Sequence, residues 1–123
     1  MKREIITIEN GVVSVPASAD IWMTQHQIAD LFGCFVSKVN ANIRAILKTG
    51  ILDENVVCWT YRYENGNAVT PYNLEMIIAL AFRIRSRNAE IFREYIIRKA
   101  VTVTTRRLVL IVGDWKSSNI SLN

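Results

Sequence analysis

Lys38, Arg44 and Lys48 fall, with Ser37, Ala41 and Ala45, on one side of a helix built over residues 37–48. Val39, Ile43 and Leu47 fall on the other side. A polar, basic face punctuated by alanines is narrow enough to enter a DNA major groove and offers cations to phosphates and base edges. Arg83, Arg85 and Arg87 alternate at a helix junction and could converge on a phosphate. The competing readings are a solvated helix face and arginines paired with Glu90, Glu94 or a helix C-terminus. Other chemistry is poorly served. His26 is the only histidine and has no nucleophile or acid at a recognisable spacing. Cys34 and Cys58 form neither a CxxC pair nor a Cys/His cluster, so no structural zinc site is expected. Asp53 and Glu54 sit together in an apparent turn, which gives no spaced acidic pair for a divalent metal. No catalytic residue, metal site or cofactor is therefore expected, and the chain is read as a non-enzyme.

The elements that must position the basic face are signalled locally. Ile5–Ile8 and Val12–Val15 are β-branched runs around Asn10-Gly11, a strong hairpin signal because both turn residues tolerate positive φ. Residues 19–23 suit a short strand with Trp22 inward. Thr24 is a good N-cap for a helix whose apolar face is Ile28, Leu31 and Phe32, and Gly33 ends that helix. Ser37 is expected to cap a second helix that stops at Gly50. Two short helices joined by a glycine turn are the helix-turn-helix arrangement. Gln25 and Gln27, at the start of the first helix, are candidates to touch the DNA backbone.

Residues 56–63 are rich in Val, Trp, Thr and Tyr and read as a strand, returning through Asn65-Gly66 to residues 68–72. That hairpin stands where a wing would, with Arg62 and Asn67 flanking its tip. Trp22 and Trp59 are read as core residues. Tyr61 and Tyr63 alternate with Arg62 and are read as packing across strands, with base stacking as the functional rival. Asn73 caps a third helix, Leu74 to about Ile84, and a fourth runs from Asn88 to about Lys99. Beyond residue 100, VTVTT and LVLIV are β-like, so residues 101–123 are expected to be a strand-prone tail after a first domain of residues 1–100.

The chain has 123 residues, a net charge of +4 and a mean hydropathy of +0.16. Between Arg83 and Arg107, eight basic residues face two acidic ones, a net +6 that leaves −2 for the rest. A basic block on a neutral body suits a polyanionic partner. The greasy composition hints at self-association, so a homodimer is a candidate state. The N-terminus MKREIITIEN lacks an apolar signal-peptide core, and no apolar run approaches a bilayer span, so a cytoplasmic location with reduced thiols is expected. No small-molecule substrate is indicated.

The order IWMTQHQIADLFG, VSKVNANIRAILKTGIL and YNLEMIIALAFRIRSRNAEIFREYI resembles the bacterial virulence-protein family called RhuM. The N-terminus of that family is itself similar to the DNA-binding modules of phage antirepressor-type proteins. The resemblance covers residues 4 to about 97. It marks Trp22, Thr24, Gln25, Gln27, Ala29, Leu31, Phe32 and Gly33 in the first block. In the second it marks Tyr72, Asn73, Leu74, Arg83, Ser86, Arg87 and Phe92. The sequence departs from the family at the apolar Cys34-Phe35-Val36 and at Asn40-Ala41-Asn42, where stronger charges are usual, and in its tail.

The combined expectation is an α+β, winged helix-turn-helix-like domain with about four helices and two β-hairpins. It would act as a DNA-binding protein or transcriptional regulator, with helix 37–48 in the major groove of double-stranded DNA. The expected contacts are Gln25, Gln27, Ser37, Lys38, Ala41, Arg44, Lys48, Arg62, Asn67, Arg83, Arg85 and Arg87. The alternative is a protein-interaction module that keeps the fold without binding DNA.

Overall fold

The computed structural model describes the backbone of residues 5–17 and 20–116, and side chains up to residue 103. The chain is α+β, with five helices and three small antiparallel strand pairs among the described residues. By internal contacts it divides into two units, Met1–Arg93 and Glu94–Asn123.

In the first unit, β1 (Thr7–Glu9) pairs with β2 (Val12–Ser14), with Ile8 opposite Val13. Asn10 and Gly11 close the hairpin at φ 51° and 76°, the left-handed pair that a two-residue turn requires. β3 is only Trp22–Met23 and pairs with β6 (Tyr72–Asn73). Met23 is fully buried while Trp22 is only half-buried, so the expected inward tryptophan gives its core place to Met23 and Ile21.

Helix α1 (Gln25–Phe32) begins with a reciprocal cap: the Thr24 hydroxyl accepts from the Gln27 N–H, and the Gln27 side chain accepts from the Thr24 N–H. It ends at Gly33 with φ 64°. Helix α2 is Val36–Thr49. Its N-cap is Phe35, which provides no side-chain bond, and not the expected Ser37. The turn explains the correction. Cys34 donates back to the Ala29 carbonyl at 3.0 Å, and the Phe35 carbonyl already accepts from Lys38 and Val39. The second helix is therefore under way before Ser37 is reached.

The expected strand over residues 56–63 is also corrected. The Asp53 carboxylate accepts from the Asn55 N–H at 2.9 Å and starts a one-turn helix, α3 (Glu54–Val57). Cys58 then forms an isolated bridge to Tyr72, and only β4 (Tyr61–Arg62) pairs with β5 (Ala68–Val69). Asn73 caps α4 (Leu74–Ala81) by accepting from the Met76 N–H, as expected. The core lies where α1, α2, α3 and α4 meet, around Phe32, Ile43, Val57, Ile77 and Leu80. Phe32 also packs at 5.9 Å from Phe92.

Helix α5 spans Arg87–Lys116, so residues 101–116 are helical and not strand-like as expected. A helix closes its hydrogen bonds within one segment, whereas a strand needs a partner, and β-branched residues lower helix propensity only by tenths of a kcal/mol each. The rest of the tail lies outside the described residues. No helix among the described residues is long and apolar enough to cross a membrane.

Candidate nucleic-acid interface

Amphipathic spacing determines which side of α2 is free. Val39, Ile43 and Ile46 are buried, which turns Ser37, Lys38, Ala41, Arg44 and Lys48 outward; all five are exposed, and Ala45 is half-buried. No carboxylate occurs in the helix. From Lys38 to Lys48 the axis advances by about 15 Å at 1.5 Å per residue. The three cations therefore line a stripe with no internal counter-charge.

The structure adds a fourth cation that spacing along α2 does not reveal. The Arg83 Nε donates to the Asn42 Oδ1 at 3.2 Å, and the Asn42 amide nitrogen donates to the Lys38 carbonyl at 2.9 Å. Asn42 thereby ties the turn after α4 to the flank of α2. Sequence reading treated Asn42 as a weaker stand-in for a charge; its role is to hold one in place.

The three arginines expected to converge have separate roles. Arg83 is bound to Asn42; Arg87 is paired with Glu90 at 3.5 Å on an exposed helix turn; Arg85 is exposed. Arg93 is the structural member of the basic block, donating to the Ala81 and Ile84 carbonyls at 2.7 and 3.0 Å where α4 ends.

Gln25 and Gln27 are engaged internally. Gln27 belongs to the cap of α1. The Gln25 Oε1 accepts from the Asn40 amide at 3.2 Å, and its own amide lies 3.4 Å from the Tyr72 hydroxyl. This chain links α1, α2 and β6. At the other end of α1, the Asn88 amide donates to the Leu31 carbonyl at 2.9 Å. Both long-range bonds are invisible to local pattern reading, because their partners are 47 and 57 residues apart.

The hairpin β4–β5 stands beside the start of α2. Ala68, Val69 and Thr70 share an open cleft of about 260 Å³ with Thr24, His26 and Val36. Arg62, opposite Ala68, and Asn67 are exposed on the hairpin. The tip is closed by the Tyr63 N–H bonding the Asn67 carbonyl at 2.8 Å, with Gly66 at φ 90°. Phe35 is 83% exposed at the head of α2.

The aromatic residues depart from expectation. Trp59 is 45% exposed and not a core residue. Tyr61 and Tyr63 pack along their own strand, with centroids 4.9 Å apart, and Trp59 continues the row at 5.9 Å from Tyr61.

Burial pushes the Cys34 thiol above its ordinary 9.0, partly countered by Lys38, and burial raises the Cys58 thiol, helped by Glu54. Burial likewise raises the Tyr72 hydroxyl, opposed by its bond to Gln25. No group of three or more His, Cys, Asp or Glu side chains is disposed to hold a metal ion among the described residues. Comparison with protein-family models, with curated proteins and with solved structures returns no match.

Proposed function

We propose that the first unit is a RhuM-like, winged helix-turn-helix module that binds double-stranded DNA. In this reading α1, the Gly33 turn and α2 are the helix-turn-helix, and β4–β5 is the wing. One observation carries the reading: Lys38, Arg44 and Lys48 form an exposed stripe without a carboxylate, and Asn42 extends it to Arg83. Lys38 and Arg44 reach base edges or phosphates while Ser37 and Ala41 let the helix sit deep in the groove. Phe35 offers an apolar group of the kind that meets a thymine methyl. Arg62 and Asn67 contact the backbone beside it, and Arg85 adds affinity that does not depend on sequence. Gln25 and Gln27 act by holding α1 in place. One such unit reads only a few base pairs, so a homodimer on paired half-sites is the working form.

The test is a fluorescence-anisotropy titration of the chain with random duplex DNA at two salt concentrations. Binding that weakens steeply with salt is expected, because each cation placed on a phosphate releases counterions. No binding at low salt overturns the proposal. The rival reading, a protein-interaction module on the same scaffold, is favoured by the half-exposed aromatic row formed by Tyr61 of β4 with Trp59 and Tyr63 on either side of it. Charge reversal at Lys38, Arg44 and Lys48 separates the two, since it abolishes DNA binding and leaves a protein partner bound.

A further inference from the structure

Trp22, Trp59, Tyr61 and Tyr63 form a continuous ladder. Successive ring centroids lie 6.4, 5.9 and 4.9 Å apart, each pair edge to face. Residues 59, 61 and 63 share one side of the chain by the two-residue alternation of extended backbone, with Arg62 on the other side. Part of the ladder's work is internal: a two-stranded sheet with two-residue strands is marginal in water, and edge-to-face contacts help hold it. That work leaves Trp59, Tyr61 and Tyr63 each 44–48% exposed.

The charge beside this face is acidic. Asp20 and Glu75 line a depression with Trp22. Glu54 sits one helical turn before Cys58, the neighbour of Trp59, whose N–H and thiol both donate to the Glu54 carbonyl. Among the described residues the ion pairs are Arg87–Glu90 and Arg98–Glu94, so none of these three carboxylates has a cationic partner there.

From this juxtaposition we infer that the ladder docks an extended, arginine-bearing segment of a partner protein, with cations at alternate residues. A ring face attracts a guanidinium, which lies flat on it. Side chains on one face of an extended segment repeat about every 6.6 Å, close to the 6.4 and 5.9 Å steps from Trp22 to Trp59 to Tyr61. The carboxylates supply the complementary charge. A single-stranded nucleic acid would stack equally well on the rings but would bring phosphates against Asp20, Glu54 and Glu75. The inference does not depend on the DNA reading, because it uses different residues.

The experiment titrates the whole chain with a fluorescein-labelled Arg-Thr-Arg-Thr-Arg-Thr-Arg peptide, and with the same peptide carrying citrulline for arginine. The arginine peptide is expected to bind. Citrulline keeps the planar shape without the charge and should weaken binding about tenfold or more, since several cation–ring and carboxylate contacts are lost together. Trp59→Leu and Tyr61→Leu should each weaken it about two- to fivefold. If either change melts the hairpin, seen as loss of the near-ultraviolet aromatic circular dichroism signal, Asp20→Asn with Glu75→Gln tests the carboxylates that share the Trp22 depression without disturbing the rings. That pair should also weaken the arginine peptide about two- to fivefold while leaving the citrulline peptide unchanged. Equal binding of the two peptides, or indifference to the Asp20→Asn and Glu75→Gln pair, overturns the inference. So does a poly-dT oligonucleotide that displaces the arginine peptide from the ladder.

Discussion

Replacing Lys38, Arg44 and Lys48 together by glutamine has a calculable effect on DNA binding. Six cations of the first unit are exposed and free of an ion pair among the described residues: Lys38, Arg44, Lys48, Arg62, Arg83 and Arg85. If all six rest on phosphates, log K falls against log salt with a slope of about −5.4, at about 0.9 per contact. Between about 50 and 200 mM salt that slope lowers affinity roughly 2,000-fold. With three contacts removed, the slope becomes about −2.7 and the loss over the same window only about 40-fold. The substitutions cost little stability. All three side chains are exposed, and glutamine has nearly the helix propensity of lysine and arginine, so the change should stay within about 0.5 kcal/mol. Arg87→Gln is the internal control: Arg87 already faces Glu90 at 3.5 Å, so its removal should change the slope by less than one full contact. The assay is anisotropy against random duplex DNA over a salt series, with circular dichroism to show the fold intact. An unchanged slope in the folded triple variant would refute the assignment of α2 to the phosphate backbone.

Three further outcomes test the scaffold. At Gly33 an added Cβ would meet only the Asn88 amide, at 4.0 Å, so Gly33→Ala should carry only the left-handed strain at φ 64°, about 1 kcal/mol in urea denaturation, and a β-branched residue more. Arg93→Met removes two charge-assisted bonds to the end of α4 and should cost about 1–2 kcal/mol, discounted for partial burial, with lysine rescuing only part. Alkaline pH should weaken the fold. The Cys34 and Cys58 thiols are raised by burial, so the unfolded chain loses these protons first, and stability should fall as pH rises from about 9 towards the folded values. Cys34→Ala should flatten that fall in a pH series of thermal melts.

What the sequence discloses here is short-range. Asn10-Gly11, the Thr24 cap, Gly33 and Asn73 each satisfy a backbone need within four residues, and each was readable from residue type alone. Misreadings arose where a β-like composition competed with a local hydrogen bond. Val56 and Val57 favour a strand, but the Asp53 carboxylate nucleates a helical turn beneath them. Ser37 is a better cap than Phe35 by type, yet the length of the turn after Gly33 decides the start. The outward stripe of α2 was legible as a helical period. The Asn42–Arg83 bond and the inward engagement of Gln25 were not, because they link residues far apart in sequence.

The distribution of charge bears on both proposals together. The net +4 conceals an uneven pattern: α2 carries three cations and no acid, while Asp20 and Glu75 line a depression with Trp22 at one end of the aromatic ladder and Glu54 lies one helical turn before the neighbour of Trp59. A polyanion approaching this unit is drawn to Lys38, Arg44, Lys48 and Arg83 and repelled from the ladder, so long-range forces favour one docking orientation before contact. A cationic segment experiences the reverse preference. The two ligands therefore need not compete for the same charges, and each carboxylate that disfavours phosphate at the ladder also favours arginine there. Neutralising Asp20 and Glu75 should accordingly act in opposite directions, loosening the peptide and leaving duplex DNA bound as tightly or slightly more so. A substitution that merely damaged the fold would weaken both.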